Sequence, residues 1–231
     1  MLTSRQKQLL CLAIQEYVQT ADPVGSNSLV KKYKLKLSPA TVRNELAELE
    51  KRGYMSQPHT SAGRVPTEKA YQYFVDKYLE YRKVIKLEKA LKQILQGSIY
   101  EQGVKNIAKL LSQLSGQAIV IGFKFNHAYY TGLSNLFRQS EFQQYGKIIN
   151  LSATLDRMDD LVGKIFDELE KDVEVFIGHQ NPFGNQSSLV ISRFKYQDRE
   201  PGIVGLLGPL RMDYNKNYSL VRQAKEVIES F

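Results

Sequence analysis

Apolar residues recur at helical spacing through the first third of the chain and break into short apolar runs beyond about residue 115. Leu10, Ile14, Tyr17 and Val18 make one stripe, which predicts a first helix from Thr3 to about Gln19. Thr3 is its expected cap, and Gln6 three residues on completes a capping-box pattern. Cys11 lies beside the stripe and reads as a small core residue. The residue before Pro23 avoids the helical region, so residues 20–23 end this helix. Ser26 is placed to cap a short second helix over about 27–33. Ser38-Pro39 is a start signal, a serine cap followed by a proline whose missing N–H costs nothing at that position. The third helix, from Pro39 to about Arg52, buries Val42, Leu46 and Leu49 and is closed by Gly53. Tyr54–Gln57 predicts a strand, residues 58–64 a turn-rich excursion and Val65 the return, so a hairpin follows the third helix directly.

Thr67 is the expected cap of a further helix, read as unbroken from Glu68 to about Gln96 because it holds no Pro or Gly. Phe74, Tyr78, Tyr81 and Ile85, and then Leu87, Leu91 and Ile94, step by threes and fours, which marks a seam against another helix. Both the chain's own domain and a second copy fit that seam. Gly97 and Gly103 interrupt the pattern, and 104–114 restores it. Beyond Ser115, strands are expected at 118–123, 129–131 and 173–177, with an antiparallel pair at 188–196 and 203–207. Helices are expected at 142–151, 158–169 and 214–230, the last capped by Asp213. The fold class is therefore α+β. The organisation read is an N-terminal domain over 1–83, linker helices over 84–114 and a C-terminal α+β domain over 115–231.

Charge sharpens this picture. Residues 1–83 hold 14 Lys/Arg against 8 Asp/Glu, whereas 84–231 hold 18 against 16. The basic surplus thus sits in the N-terminal third, where it attracts phosphate or anionic lipid. One cysteine excludes an internal disulfide framework and fits a reducing compartment. No apolar run approaches the roughly 20 residues that span a bilayer, and the first residues do not read as a secretory signal. The expected location is the cytoplasm, associated with the nucleoid, with no membrane partner.

Three short helices with a tight turn before the third make a helix-turn-helix plan, and the hairpin after it makes a wing. The residue types fit DNA. Ser26, Ser38, Ala40 and Thr41 sit at helix starts or on the presumptive groove-facing turn. Arg43 can fork onto guanine and Asn44 onto adenine, because each offers paired groups that match those base edges. His59, Thr60 and Ser61 lie in the wing excursion, and Arg64 is placed at its narrow tip, where it would meet backbone or minor groove. An ordinary three-helix bundle with a solvated polar face is the alternative reading.

The run SPATVRNELAELEKRGYMSQPHTSAGRVPT, preceded by TADPVGSNSLVKKY, closely resembles the signature of the HrcA family of heat-inducible repressors, almost without a gap from Leu2 to about Asp76. GLSNLFRQSEF, VFIGHQN and GIVGLLGPLRMDYNKNYSLV are similar to later segments of that family. The resemblance implies an N-terminal winged helix-turn-helix and a C-terminal GAF-like domain. It also implies a homodimer on an inverted-repeat operator, called CIRCE, near chaperone genes. Repression would be supported by the chaperonin GroEL and relieved by heat. Family members carry more chain between the first core strand and GLSNL, including an inserted dimerisation domain, so this chain reads as a shortened member lacking the central insert.

Other chemistry is set aside. Gly202, Gly205 and Gly208 lie within a strand and its exit, not before a helix, so they are no dinucleotide fingerprint. His59, His127 and His179 are far apart, so no metal or other cofactor is expected. Asp156, Asp159 and Asp160 precede a helix and read as capping acids. Arg211 and Asp213 read as structural. No nucleophile motif appears, and an enzyme is not expected. A second regulator model keeps the same head and gives the C-terminal domain a small-molecule ligand, by fold analogy alone.

Overall fold

The Thr3 hydroxyl accepts from the Gln6 backbone N–H at 3.2 Å, and the Gln6 carboxamide accepts from Thr3 N–H at 3.1 Å. This reciprocal pair starts α1 (Ser4–Thr20). The computed structural model describes residues 1–60, 62–124, 127–143, 153, 156–195 and 201–231. They form a mixed helical and sheet protein divided into two compact units, Met1–Tyr78 and Leu79–Phe231. None of the described helices is long and apolar enough to cross a membrane.

The first unit continues with α2 (Ser26–Tyr33), α3 (Pro39–Lys51), the short strands β1 (Met55–Ser56) and β2 (Val65–Pro66), and α4 (Glu68–Tyr78). Its core joins Leu9, Leu10, Ala13 and Ile14 of α1 to Leu29, Val42, Leu46, Leu49, Met55, Ala70 and Tyr71. Burying each large aliphatic side chain stabilises the fold by roughly 1.5–3 kcal/mol. Tyr17, Val18 and Cys11 are half-buried rather than central. Burial still pushes the Cys11 thiol up from its ordinary value. Ser38 caps α3 as expected, accepting from Thr41 N–H at 3.0 Å. Ser26 does not cap α2. It is the first helical residue, and Gly25 precedes it with no side-chain cap. Val24, just before it, is held by a β-bridge to Arg64.

The helix expected to run from Glu68 to Gln96 stops at Tyr78, and residues 79–84 are not helical. The competing partners come from α9 (Tyr214–Glu229). Asn215 accepts from Glu80 N–H at 2.9 Å, Ser219 from Arg82 N–H at 2.9 Å and Gln223 from Val84 N–H at 3.1 Å. Gln223 also donates to the Val84 carbonyl at 2.8 Å. These three residues recur every four positions, so they line one face of α9 and satisfy backbone groups that a helix would otherwise pair. Helix α5 (Ile85–Gln96) then begins, followed by α6 (Tyr100–Ser115). Gly103 lies inside α6 instead of interrupting it. A Cβ there would stand 3.0 Å from Leu95 Cδ2, so the glycine marks a close approach to the end of α5.

Strands β3 (Ala118–Lys124), β4 (His127–Thr131), β5 (Glu174–Ile177), β6 (Ser187–Phe194) and β7 (Gly202–Pro209) form one antiparallel sheet in the order β4-β3-β7-β6-β5. Ala118, Val120, Leu189, Ile191, Ile203 and Leu207 face a core with α7 (Leu133–Phe137) and α8 (Met158–Glu168). Alternate residues face the other way, where α6 and α9 pack. Covering both faces explains why β6 and β7 read as continuous apolar runs. Gly202 lies within β7, where a Cβ would strike the Phe194 ring at 2.5 Å, so close packing and not phosphate binding accounts for it. Gly132, at φ 77°, lets the chain pass where a Cβ would sit 2.0 Å from Ser112 Oγ, and Asn135 donates to that oxygen at 3.1 Å. Arg211 pairs with Glu141 and donates to Gln139 at 2.9 Å, and Asp213 caps α9 by accepting from Lys216 N–H at 3.1 Å. The expected helix over 142–151 falls mostly outside the described residues, as does most of the turn over 197–202.

Candidate nucleic-acid interface

Helix α3 turns two chemically different faces. Val42, Leu46 and Leu49 are buried, while Ser38, Ala40, Arg43 and Asn44 are exposed and Thr41 is half-exposed. Ser38 and Thr41 hold their hydroxyls 2.9 Å apart at the helix start. The acids of α3 are engaged within the unit. Glu45 accepts from Arg5 at 3.2 Å and Gln6 at 3.1 Å, Glu48 faces Lys51 and Arg52 at 3.6 and 3.5 Å, and Glu50 accepts from Arg64 at 2.8 Å. Among the described residues no ion pair is recorded for Arg43. The first turns of α3 therefore present hydroxyls, a carboxamide and a guanidinium outward, with acid charge neutralised behind them.

The hairpin after α3 is fixed rather than loose. Val24 and Arg64 exchange backbone hydrogen bonds in both directions, at 2.8 and 2.9 Å. A Cβ on Gly63 would lie 2.6 Å from Pro23 O and from Val24 C and O, so only glycine permits this approach. Gln57 donates to the carbonyls of Thr60 and Ala62 at 3.1 and 2.8 Å and closes the turn. His59 and Thr60 are exposed in that turn, and Ser61 lies outside the described residues.

Two expectations need revision. Arg64 is not at the tip: its backbone joins Val24, and its side chain, 15% exposed, is directed to Glu50. The pairing of its Nε with Glu50 makes it a clamp between hairpin and α3. Ser26 is buried, so it is no exposed contact. Of the remaining residues, Ser38, Ala40, Thr41, Arg43 and Asn44 share the start of one helix, and His59 and Thr60 lie in the hairpin turn. The sequence reading gives Glu50 no role and Gln57 only a place in a strand, because their roles depend on partners that no local pattern announces.

Electrostatics below this surface are tighter. Glu16, buried in α1, accepts from the Lys32 ammonium at 2.6 Å and from the Tyr33 hydroxyl at 3.0 Å. The Lys32 hydrogen bond holds its carboxyl below the ordinary range, and the Tyr33 bond adds to this. Tyr33 is pushed up to about 12 by desolvation and then by Glu16. Among the described residues no group of three or more His, Cys, Asp or Glu is placed to hold a metal ion.

The family model for the HrcA protein C-terminal domain matches residues 64–217. The chain belongs to the HrcA family. A heat-inducible transcription repressor HrcA from Pelotomaculum thermopropionicum is 41% identical over 123 residues, which cover 52% of this chain and 35% of that protein. The HrcA repressor of Alkaliphilus metalliredigens is 46% identical over 123 residues, covering 52% and 36%. The chain thus spans about a third of the length of the curated HrcA relatives it matches. Those relatives are named as repressors, not enzymes. A crystal structure titled as that of a hypothetical protein superposes with a TM-score of 0.75 at 17% identity, over 99% of this chain and 98% of the other, and supports the fold alone.

Proposed function

We propose that this HrcA-family chain is a DNA-binding transcriptional repressor of chaperone genes. The observation that carries the reading is the outward face of α3, where Ser38, Thr41, Arg43 and Asn44 stand exposed or half-exposed while the helix's acids are paired within the unit. The N-terminal unit is read as a winged helix-turn-helix whose third helix enters the major groove. Arg43 and Asn44 carry base readout, and Ser38, Ala40, Thr41, His59, Thr60 and Ser61 contact backbone or groove. Two copies would read an inverted repeat of the CIRCE kind, because protein two-fold symmetry mirrors operator symmetry. The C-terminal unit is read as a GAF-like regulatory domain, and GroEL as the chaperonin that supports the active form in the nucleoid-associated cytoplasmic pool. Heat would relieve repression, since a marginally stable fold loses much of its population for a small loss of support.

Footprinting on DNA upstream of the chaperone operons, with and without GroEL, tests this. A protected inverted repeat, better occupied with GroEL, is the expected result. Absence of protection on any such DNA sinks the assignment.

A further inference from the structure

From Pro23 to Asn44 the chain has no Asp or Glu, yet it carries Lys31, Lys32, Lys34, Lys36 and Arg43. This stretch is α2, the turn after it and the start of α3. All four lysines are exposed. Glu16 and Gln19, both on α1, engage Lys32. No ion pair is recorded for Lys31, Lys34 or Lys36 among the described residues. Elsewhere in this unit Arg5, Lys51, Arg52 and Arg64 face acids and Lys69 donates to the Arg52 carbonyl at 2.8 Å, while no ion pair is recorded for Lys7 or Lys77 among the described residues; what sets the run apart is that 23–44 holds no acid of its own.

Lys34 adds an independent observation. It is the residue at which α2 ends, with φ 49° and ψ 44°, and its N–H closes the helix onto Val30 O. Glycine or asparagine suits that left-handed position better than a long side chain. Lys34 and Ala21 are the two described non-glycine residues with positive φ. A lysine placed where the backbone favours another residue points to a use for its charge.

We propose that Lys31, Lys34 and Lys36 form a phosphate-binding track that holds the DNA backbone leading into α3, separate from the side chains that read bases. The track rests on the DNA-binding reading above. Lysine suits this task as a point charge on a flexible stem, needing no fixed geometry. Because phosphates carry no sequence information, the track acts alike on any duplex and sets the salt dependence of binding.

The test measures affinity of the whole chain for a labelled mixed-sequence duplex and for the footprinted repeat, across a salt series. The probe variants are Lys34→Asn alone and Lys31→Gln/Lys34→Asn/Lys36→Gln together, with melting temperature recorded for each. Each lost phosphate contact lowers the slope of log K against log salt by about 0.9. The triple variant is expected to lose about 2 to 3 in slope on both duplexes. Lys34→Asn is expected to lose about 1, with melting temperature unchanged or raised. A triple variant whose slope matches the parent overturns the track, as does a Lys34→Asn protein that melts lower while binding normally. Parent protein that binds neither duplex overturns the DNA-binding reading itself. Parent protein that binds phosphatidylserine vesicles through these lysines but not DNA assigns the basic run to membrane and overturns the proposal.

Discussion

The two units differ in where their exposed and engaged polar side chains lie. In the first, Ser38, Arg43, Asn44 and the lysines of 31–36 stand at the surface, while the acids around them are occupied inside the unit. In the second, Asn215, Ser219 and Gln223 hold the backbone of 80–84, Asn135 binds Ser112, and Arg211 binds Glu141 and Gln139. Polar groups that satisfy the chain's own backbone are architecture, whereas exposed donors beside acids that are already paired are suited to an external acceptor. The contrast suits the recognition role proposed for the first unit and makes these polar contacts of the second a matter of assembly.

The first way to break this contrast is to dislodge the hairpin. Gly63→Ala forces a Cβ against Pro23 and Val24 backbone atoms at 2.6 Å and should cost about 3 kcal/mol or more. A drop in melting temperature on the order of 15 °C for the first unit is expected, with binding lost in parallel. An unchanged melting temperature would mean that the hairpin is not docked there.

Arg64→Ala comes next. Removing the clamp leaves Glu50 without its guanidinium and should cost about 1–2 kcal/mol. It should weaken operator and mixed-sequence DNA by a similar factor while leaving the salt slope nearly unchanged. A slope reduced by a full unit would restore Arg64 as a direct phosphate ligand.

In the second unit, Gln223→Ala removes both hydrogen bonds to Val84. Because Val84 is half-exposed, water replaces part of the loss, and the cost should be about 1 kcal/mol. Exchange of the Val84 amide should quicken about five-fold with DNA affinity unchanged. Altered affinity would show that this strap does more than hold the chain.

The smallest effect concerns pH. Glu16 has a depressed pKa in the folded protein, so its contribution is present above the ordinary carboxylate range and is lost as pH falls through the folded value. Tyr33 is raised, so its contribution is present below its ordinary value and is lost as pH rises toward about 12. Urea midpoints measured across pH should show a shallower acid limb in Glu16→Gln, and an unaltered limb would remove the cluster from the stability account.

Much of this was legible in the chain because the signals are local. Thr3-Gln6, Ser38-Pro39, Gly53 and Asp213 act within three or four residues, and the caps and starts they mark are the ones observed. The exposed face of α3 follows from helical spacing alone. What was not legible depends on distant partners. Nothing near residue 79 shows that α9, over 130 residues later, supplies the hydrogen bonds that keep 79–84 from continuing α4. Arg64 looks like a hairpin tip until Val24 and Glu50 are brought beside it. Ser26 looks like a cap, yet the helix already starts at it, with Gly25 before it.

The most direct measurement is a gel-shift titration of the parent chain, Arg43→Ala and Asn44→Ala against the footprinted repeat and a mixed-sequence duplex. Each substitution should lower affinity for the repeat by roughly 10- to 100-fold, the worth of a bidentate base contact. Affinity of Asn44→Ala for the mixed duplex should stay at the parent value, and that of Arg43→Ala should fall only by its share of phosphate attraction. Equal losses on both duplexes, or no loss on the repeat, would contradict base readout by the exposed face of α3.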